Sequence, residues 1–251
     1  MTHRIRTTAI IAAATLYLGT MPGRGLQAQD APAQGPEQLV AAIKQSLAQS
    51  QKQIRQYEWI ETTAISLKGE EKARKQQRAY YGADGKLTKV PMGDQPPAQA
   101  EQDGGRRGGR GGGRAKERIV ENKKDEMQEY MEQAVALVHK YVPPDPALIQ
   151  AAKDKGKMSS QPGAAGQTTL AFADYLLPGD RLGIGIDAKA ARLSGLNVAT
   201  YLDKPEDKVT LDVTMGALTD GTVYNQRVTF DAAAKNIKVV IENSGHRPLA
   251  K

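Results

Sequence analysis

Six stretches of the C-terminal half, TLAFADYLL, RLGIGID, RLSGLNVATYL, KVTLDVTMG, TVYNQRVTF and NIKVVIENS, are separated mainly by turn chemistry. No other feature restricts the fold as much. Val209, Leu211, Val213 and Met215 fall at every second position, with Thr210, Asp212 and Thr214 between them. A period of two describes a strand with one covered face, the other being wet or lining a polar cavity. Pro178-Gly179-Asp180, Lys204-Pro205-Glu206-Asp207 and Asp220-Gly221 supply residues suited to turns.

The N-terminal half alternates between two periods. From Glu37, Leu39, Val40, Ile43, Leu47 and Ile54 recur at helical steps, which predicts an amphipathic helix ending near Arg55. QYEWIETTAISLKG then alternates as a strand, EKARKQQRAYYG returns, and Asp84-Gly85 turns the chain into LTKVPM. A second helical stripe follows in Val120, Met127, Met131, Ala134, Val138 and Tyr141. Val-Pro-Pro-Asp-Pro stops it, a short helix ALIQAAKDKG comes next, and MSSQPGAAGQ reads as a loop. The expected class is α+β: a curved, half-barrel-like antiparallel sheet of about nine strands, packed on an N-terminal helix and an inserted helical segment.

The first 28 residues carry Arg4 and Arg6, a short apolar run TAIIAAATLYLG, and small residues before Gln29. This is the order of a secretory leader cleaved near Ala28, and the run falls short of the about 20 residues a membrane span needs. The predicted organisation is therefore a leader at 1–28, a disordered lead at 29–36, and one domain at 37–248. A disordered Pro/Gln- then Arg/Gly-rich loop at 93–115 interrupts that domain. The implied location is periplasmic or secreted. The chain has no cysteine, so no disulfide, thiolate metal site or thiol chemistry is available to it.

Charge bears on the stretch GGRRGGRGGGRAKER. The whole chain is formally +7, and loss of Arg4, Arg6 and Arg24 with the leader leaves 32 basic against 28 acidic residues. Residues 104–118 alone carry +5, from Arg106, Arg107, Arg110, Arg114, Lys116 and Arg118 against Glu117, so the rest sums to −1. A nucleic-acid domain places a basic face on its folded body. Arginine-glycine segments that bind single strands also interleave aromatic residues for base stacking, and this one has none. The segment reads as a spacer, with salt-sensitive contact to anionic surfaces as the alternative and no specific nucleic acid expected.

No catalytic constellation emerges. LGIGID lacks the dinucleotide glycine spacing and sits inside a strand, and the glycine-rich stretch has no glycine-lysine-hydroxyl ending. His139 lies on a helix among valines and His246 falls in the tail, neither with partners at metal-ligand spacing. Glu58 and Glu61 are three residues apart on a strand and so face opposite ways, which defeats a paired-carboxylate site. No catalytic residue, metal or cofactor is assigned, and an enzyme is not expected.

Taken in order, the leader, the long first helix, EWIETT…KARKQQRAYYGADGKL, an inserted helical section and PGDRLGIGIDAKAARLSGLNVATYL resemble the LolA/LolB-like superfamily of periplasmic lipoprotein carriers. VHKYVPPDPALIQAA, YLDKPEDKVTLDV and LTDGTVYNQRVTFDAAAKNIKVVIENSGHR resemble secreted bacterial proteins without an assigned activity. The superfamily resemblance implies a helix-plugged half-barrel that holds acyl chains, and it carries no binding residue over to this chain. Two readings follow. One is an exported, non-enzymatic carrier of an apolar ligand such as a lipid or lipoprotein acyl chain, with Trp59, Ile65, Val213, Met215, Tyr224 and Phe230 as candidate lining from strand faces. The other is an interaction module that contacts anionic envelope surfaces or polyanions through Arg106, Arg107, Arg110 and Arg114.

Overall fold

The computed structural model describes residues 36–93, 113–163 and 166–249. The elements run α1 (Pro36–Gln53), β1 (Tyr57–Leu67), β2 (Glu70–Tyr81), β3 (Leu87–Pro91), α2 (Gly113–Val138) and α3 (Pro146–Asp154). Seven strands follow: β4 (Met158–Pro162), β5 (Gln167–Ala173), β6 (Arg181–Asp187), β7 (Arg192–Tyr201), β8 (Lys208–Ala217), β9 (Val223–Ala232) and β10 (Ile237–Pro248). All ten strands form one open sheet in the order β3-β2-β1-β10-β9-β8-β7-β6-β5-β4. Every neighbouring pair is antiparallel. The last strand lies beside the first, so the C-terminal meander continues into β1, β2 and β3. The sheet's edges are then β3 and β4, the two strands that flank the segment carrying α2 and α3.

Ten strands replace the predicted count of about nine. The addition is β4, MSSQP, which pairs with β5 from Met158↔Phe172 to Pro162↔Thr168. All five of its residues are exposed; without a buried face no alternation marks it as a strand. Helix α1 opens at Pro36, one residue inside the predicted lead, and α2 opens at Gly113, inside the predicted 93–115 loop. The leader at 1–28, the lead at 29–35 and the loop at 94–112 lie outside the described residues.

Register explains where the core sits. One cross-strand row reads Ile65, Val239, Phe230, Leu211, Val198, Leu182, Phe172 and Met158, from β1 to β5 and on to the edge. All eight residues are apolar; Phe230, Leu211, Val198, Leu182 and Phe172 are buried and Val239 half-buried, while Ile65 and Met158 at the ends are each 41% exposed. Two residues along each strand, the row is Leu67, Ile237, Ala232, Val209 and Thr200, buried under the end of α2 except for a partly covered Leu67. Two residues the other way it is Ile241, Val228, Val213, Leu196, Ile184 and Leu170. This third row is as apolar as the others, yet every member is only half-buried.

The helices divide that face between them. From α2 and the turn after it, Ala134, Leu137, Val138 and Tyr141 join Ala152 of α3 in the core. At the other end α1 packs against β7 and β9, with its Ile43 buried, its Leu47 half-buried and Ile54, just past its end, half-buried. Asp145 starts α3 by accepting a hydrogen bond from the Ala147 N–H at 2.8 Å, with Pro146 in the first turn where its missing donor is harmless.

One buried carboxylate holds the helical insert to the sheet. Asp180, 2% exposed, accepts from the Tyr175 N–H at 2.6 Å, the Leu176 N–H at 3.0 Å and the Leu177 N–H at 2.6 Å. The Tyr141 hydroxyl completes the set at 2.5 Å and lies 2.8 Å from Thr200 Oγ1. Burial and then the Asp180 hydrogen bond push the Tyr141 hydroxyl above the ordinary tyrosine value, so it remains a donor at neutral pH. The Pro-Gly-Asp turn of the sequence is thus a capped loop whose carboxylate is satisfied on both oxygens.

Candidate functional site

The pairing of β10 with β1 brings aromatic residues from four strands to the α1 end of the sheet. Trp59 of β1 is 8% exposed, and its indole N–H donates to Asn243 Oδ1 at 3.0 Å. Its ring stacks on His246 at 5.7 Å between centroids and 16° between planes, and Tyr81 of β2 lies 6.0 Å away. Tyr224 of β9 approaches His246 to 4.0 Å. Two irregularities aim these rings. The β1–β10 register shifts between Glu58 and Ile60, and the β8–β9 register shifts between Thr214 and Met215. Such bulges turn side chains that a regular ladder would send elsewhere. Gly216 is the other requirement: a Cβ on it would stand 2.7 Å from Tyr224 Cζ.

Helix α1 closes this corner. Ser50 Oγ, on a side chain only 3% exposed, accepts from the Val223 N–H at 2.9 Å, and Thr222 Oγ1 donates to Gln53 Oε1 at 3.1 Å. The Tyr57 hydroxyl donates to Asp220 at 2.8 Å, tying the start of β1 to the β8–β9 turn. Between helix and sheet remains a half-open cavity of about 310 Å³, walled by Leu47, Ile54, Trp59, Tyr81, Met215 and Val223 with Tyr224 and His246. Ser50, Gln51, Asn225 and Asn243 add amide and hydroxyl groups. Among the described residues, none that lines it is Asp, Glu, Lys or Arg. Burial lowers the His246 pKa from its ordinary value of 6.5, which favours the neutral ring and leaves the cavity without formal charge at neutral pH.

The carboxylates beside it are engaged elsewhere. Glu58 points to the opposite face, where Arg247 Nε donates to it and Arg78 Nη1 lies 3.5 Å away. Glu61 shares the cavity's face of β1 but is bonded to Lys89 Nζ at 2.6 Å. Among the described residues, no three His, Cys, Asp or Glu side chains converge as metal ligands would. Among them, too, no helix is long and apolar enough to cross a membrane.

Of the predicted lining residues, Trp59, Met215 and Tyr224 stand in the cavity wall. Val213 lies on the half-buried third row, Ile65 at the exposed end of the first, and Phe230 is 7% exposed in the core beneath α2. Arg106, Arg107 and Arg110 lie outside the described residues, and Arg114 falls in the first turn of α2. His246 was missed: the alternation ends with NIKVVIENS, whereas β10 runs on to Pro248 across a bulge and carries the imidazole into the cavity. Ser50 and Asn243 also escaped notice, and only their polarity on otherwise apolar faces marks them in the sequence.

No family model matches the chain, and a search of curated proteins gave no match. Among solved structures the chain is similar to a LolA superfamily protein from Nitrosomonas europaea, at 10% identity and a TM-score of 0.34, over 83% of this chain and 94% of that one. It is also similar to a DUF1329 family protein from Desulfovibrio piger, at 12% identity and a TM-score of 0.35, over 82% and 93%. The first of these belongs to the superfamily that the sequence resembles. At these scores the likeness carries nothing about this chain's ligands or activity.

Proposed function

We propose that the protein is an exported, non-enzymatic carrier or binding protein for an apolar ligand of acyl-chain type, held between the sheet and its helices. The observation that carries this reading is the half-buried third row beside an uncharged cavity. Leu170, Ile184, Leu196, Val213, Val228 and Ile241 form an apolar path across six strands, and at one end of that path lies the space walled by Trp59, Met215 and Tyr224. A core row would be covered, and an outer row would be polar; this one is neither.

The energetics suit such a ligand. Each methylene taken from water is worth about 0.8 kcal/mol. Ten of them give about 8 kcal/mol before ordering costs, which is the scale of micromolar affinity. The cavity alone is at the small end of ligand sites, roughly 300–1,000 Å³, so a longer chain would extend along the open row. Binding of this kind needs neither a nucleophile nor a metal.

An apolar fluorescent probe tests the reading in purified, delipidated protein. Saturable binding of about one probe per chain, with displacement by medium-chain acyl compounds, is the expected result. A probe that remains in water at micromolar protein, while the protein is shown by circular dichroism to be folded, would overturn it.

A further inference from the structure

We infer that the cavity takes a single-chain amphiphile with a carboxylate head, and that the Arg55 guanidinium receives the head at the mouth. The inference rests on the apolar-ligand reading and goes further by fixing the other end of the molecule. Arg55 belongs to the single 3-10 turn, Ile54–Gln56, that links α1 to β1, and its neighbour Ile54 lines the cavity. The turn places the guanidinium over the Tyr81 ring, 5.4 Å from its centroid, and the same ring is part of the cavity wall. Nη1 also lies 3.2 Å from where a Cβ on Gly85 would stand, so the β2–β3 turn braces it from the far side.

Arg55 is exposed and, among the described residues, pairs with no carboxylate. Asp84, in the β2–β3 turn, accepts from the Lys86 N–H at 3.0 Å and forms no ion pair with Arg55. Among the described arginines, Arg74, Arg78, Arg192, Arg227 and Arg247 face acidic partners, whereas Arg55 and Arg181 do not, and of these two only Arg55 stands over a ring of the cavity wall. An uncharged, largely apolar chamber with one cation held one ring away from it complements a molecule that is apolar along its length and singly anionic at its end. A planar carboxylate matches the guanidinium fork. A methyl ester or alcohol would leave the guanidinium without an anionic partner.

Trp59 is the only tryptophan in the chain and stands in the cavity wall, so its fluorescence reports occupancy directly. Dodecanoate and its methyl ester should both bind, with the acid favoured about fivefold at low ionic strength, as an exposed ion pair allows. The preference should shrink as salt is raised, fall to near unity in Arg55→Gln, and survive in part in Arg55→Lys. Equal affinity for acid and ester in the wild-type protein would overturn the Arg55 assignment while leaving the apolar-ligand reading in place. A preference insensitive to salt and retained in Arg55→Gln would overturn it as well. Failure of both ligands to bind would sink the apolar-ligand reading itself.

Discussion

At the scale of single residues, the cavity depends on a few close approaches that can be altered one at a time. Gly216→Ala would put a methyl group into the Tyr224 ring, and the ring would have to swing out of the wall. The expected cost is roughly 1 kcal/mol of stability, at the low end for overpacking because the far end of a side chain gives way. Probe affinity should fall with it, read as a lower denaturant midpoint and a raised Kd. His246 makes a pH prediction. Its folded pKa is depressed, so the unfolded chain binds more protons as pH drops. Stability is therefore full above about 6.5 and declines as pH falls through that value toward the folded pKa. Urea unfolding at pH 7.5, 6.0 and 5.0 should show this decline, and His246→Phe, which keeps the stacking, should flatten that part of it. Trp59, Met215 and Tyr224 were legible as aromatic or apolar residues on strand faces. Their convergence with His246 was not, because it depends on β10 meeting β1 and on two bulges, and neither leaves a mark in local spacing.

At the scale of elements, alternation and helical stripes performed well wherever one face is covered. Ile43 and Leu47 of α1 and Ile54 just after it face the sheet, and Ala134, Val138 and Tyr141 enter the core at the end of α2. Strand β4 escaped because it is exposed on both sides and pairs only through its backbone. The Pro-Gly-Asp turn was read correctly as a turn, but its function in anchoring the insert was hidden, since Asp180 meets Tyr141 across 39 residues of sequence. That link makes its own prediction. Tyr141→Phe removes a donor from a carboxylate 2% exposed and a partner from Thr200. Asp180 keeps its three backbone donors, so the loss should be about 1–3 kcal/mol rather than collapse of the fold. Chemical denaturation should show a lower midpoint with an unchanged slope.

At the scale of the whole molecule, one topological fact organises the rest. The strand order brings β10 against β1, leaves β3 and β4 as edges, and makes the helical segment the connection between those edges. With α1 at one end of the apolar face and the ends of α2 and α3 at the other, the row from Leu170 to Ile241 is left half-covered between them. Fold class and most strands could be read from the sequence; strand order could not, since pairing between distant segments has no periodic signature. On the proposed reading, this half-covered row and the adjoining cavity are occupied by an apolar ligand in the living cell. Native mass spectrometry of the protein, purified gently from its own host, is the decisive measurement. The expected result is a population heavier than the polypeptide by the mass of an acyl compound, lost on extraction with organic solvent. A mass equal to the polypeptide alone, from protein that also fails to take up added acyl chains, would contradict it.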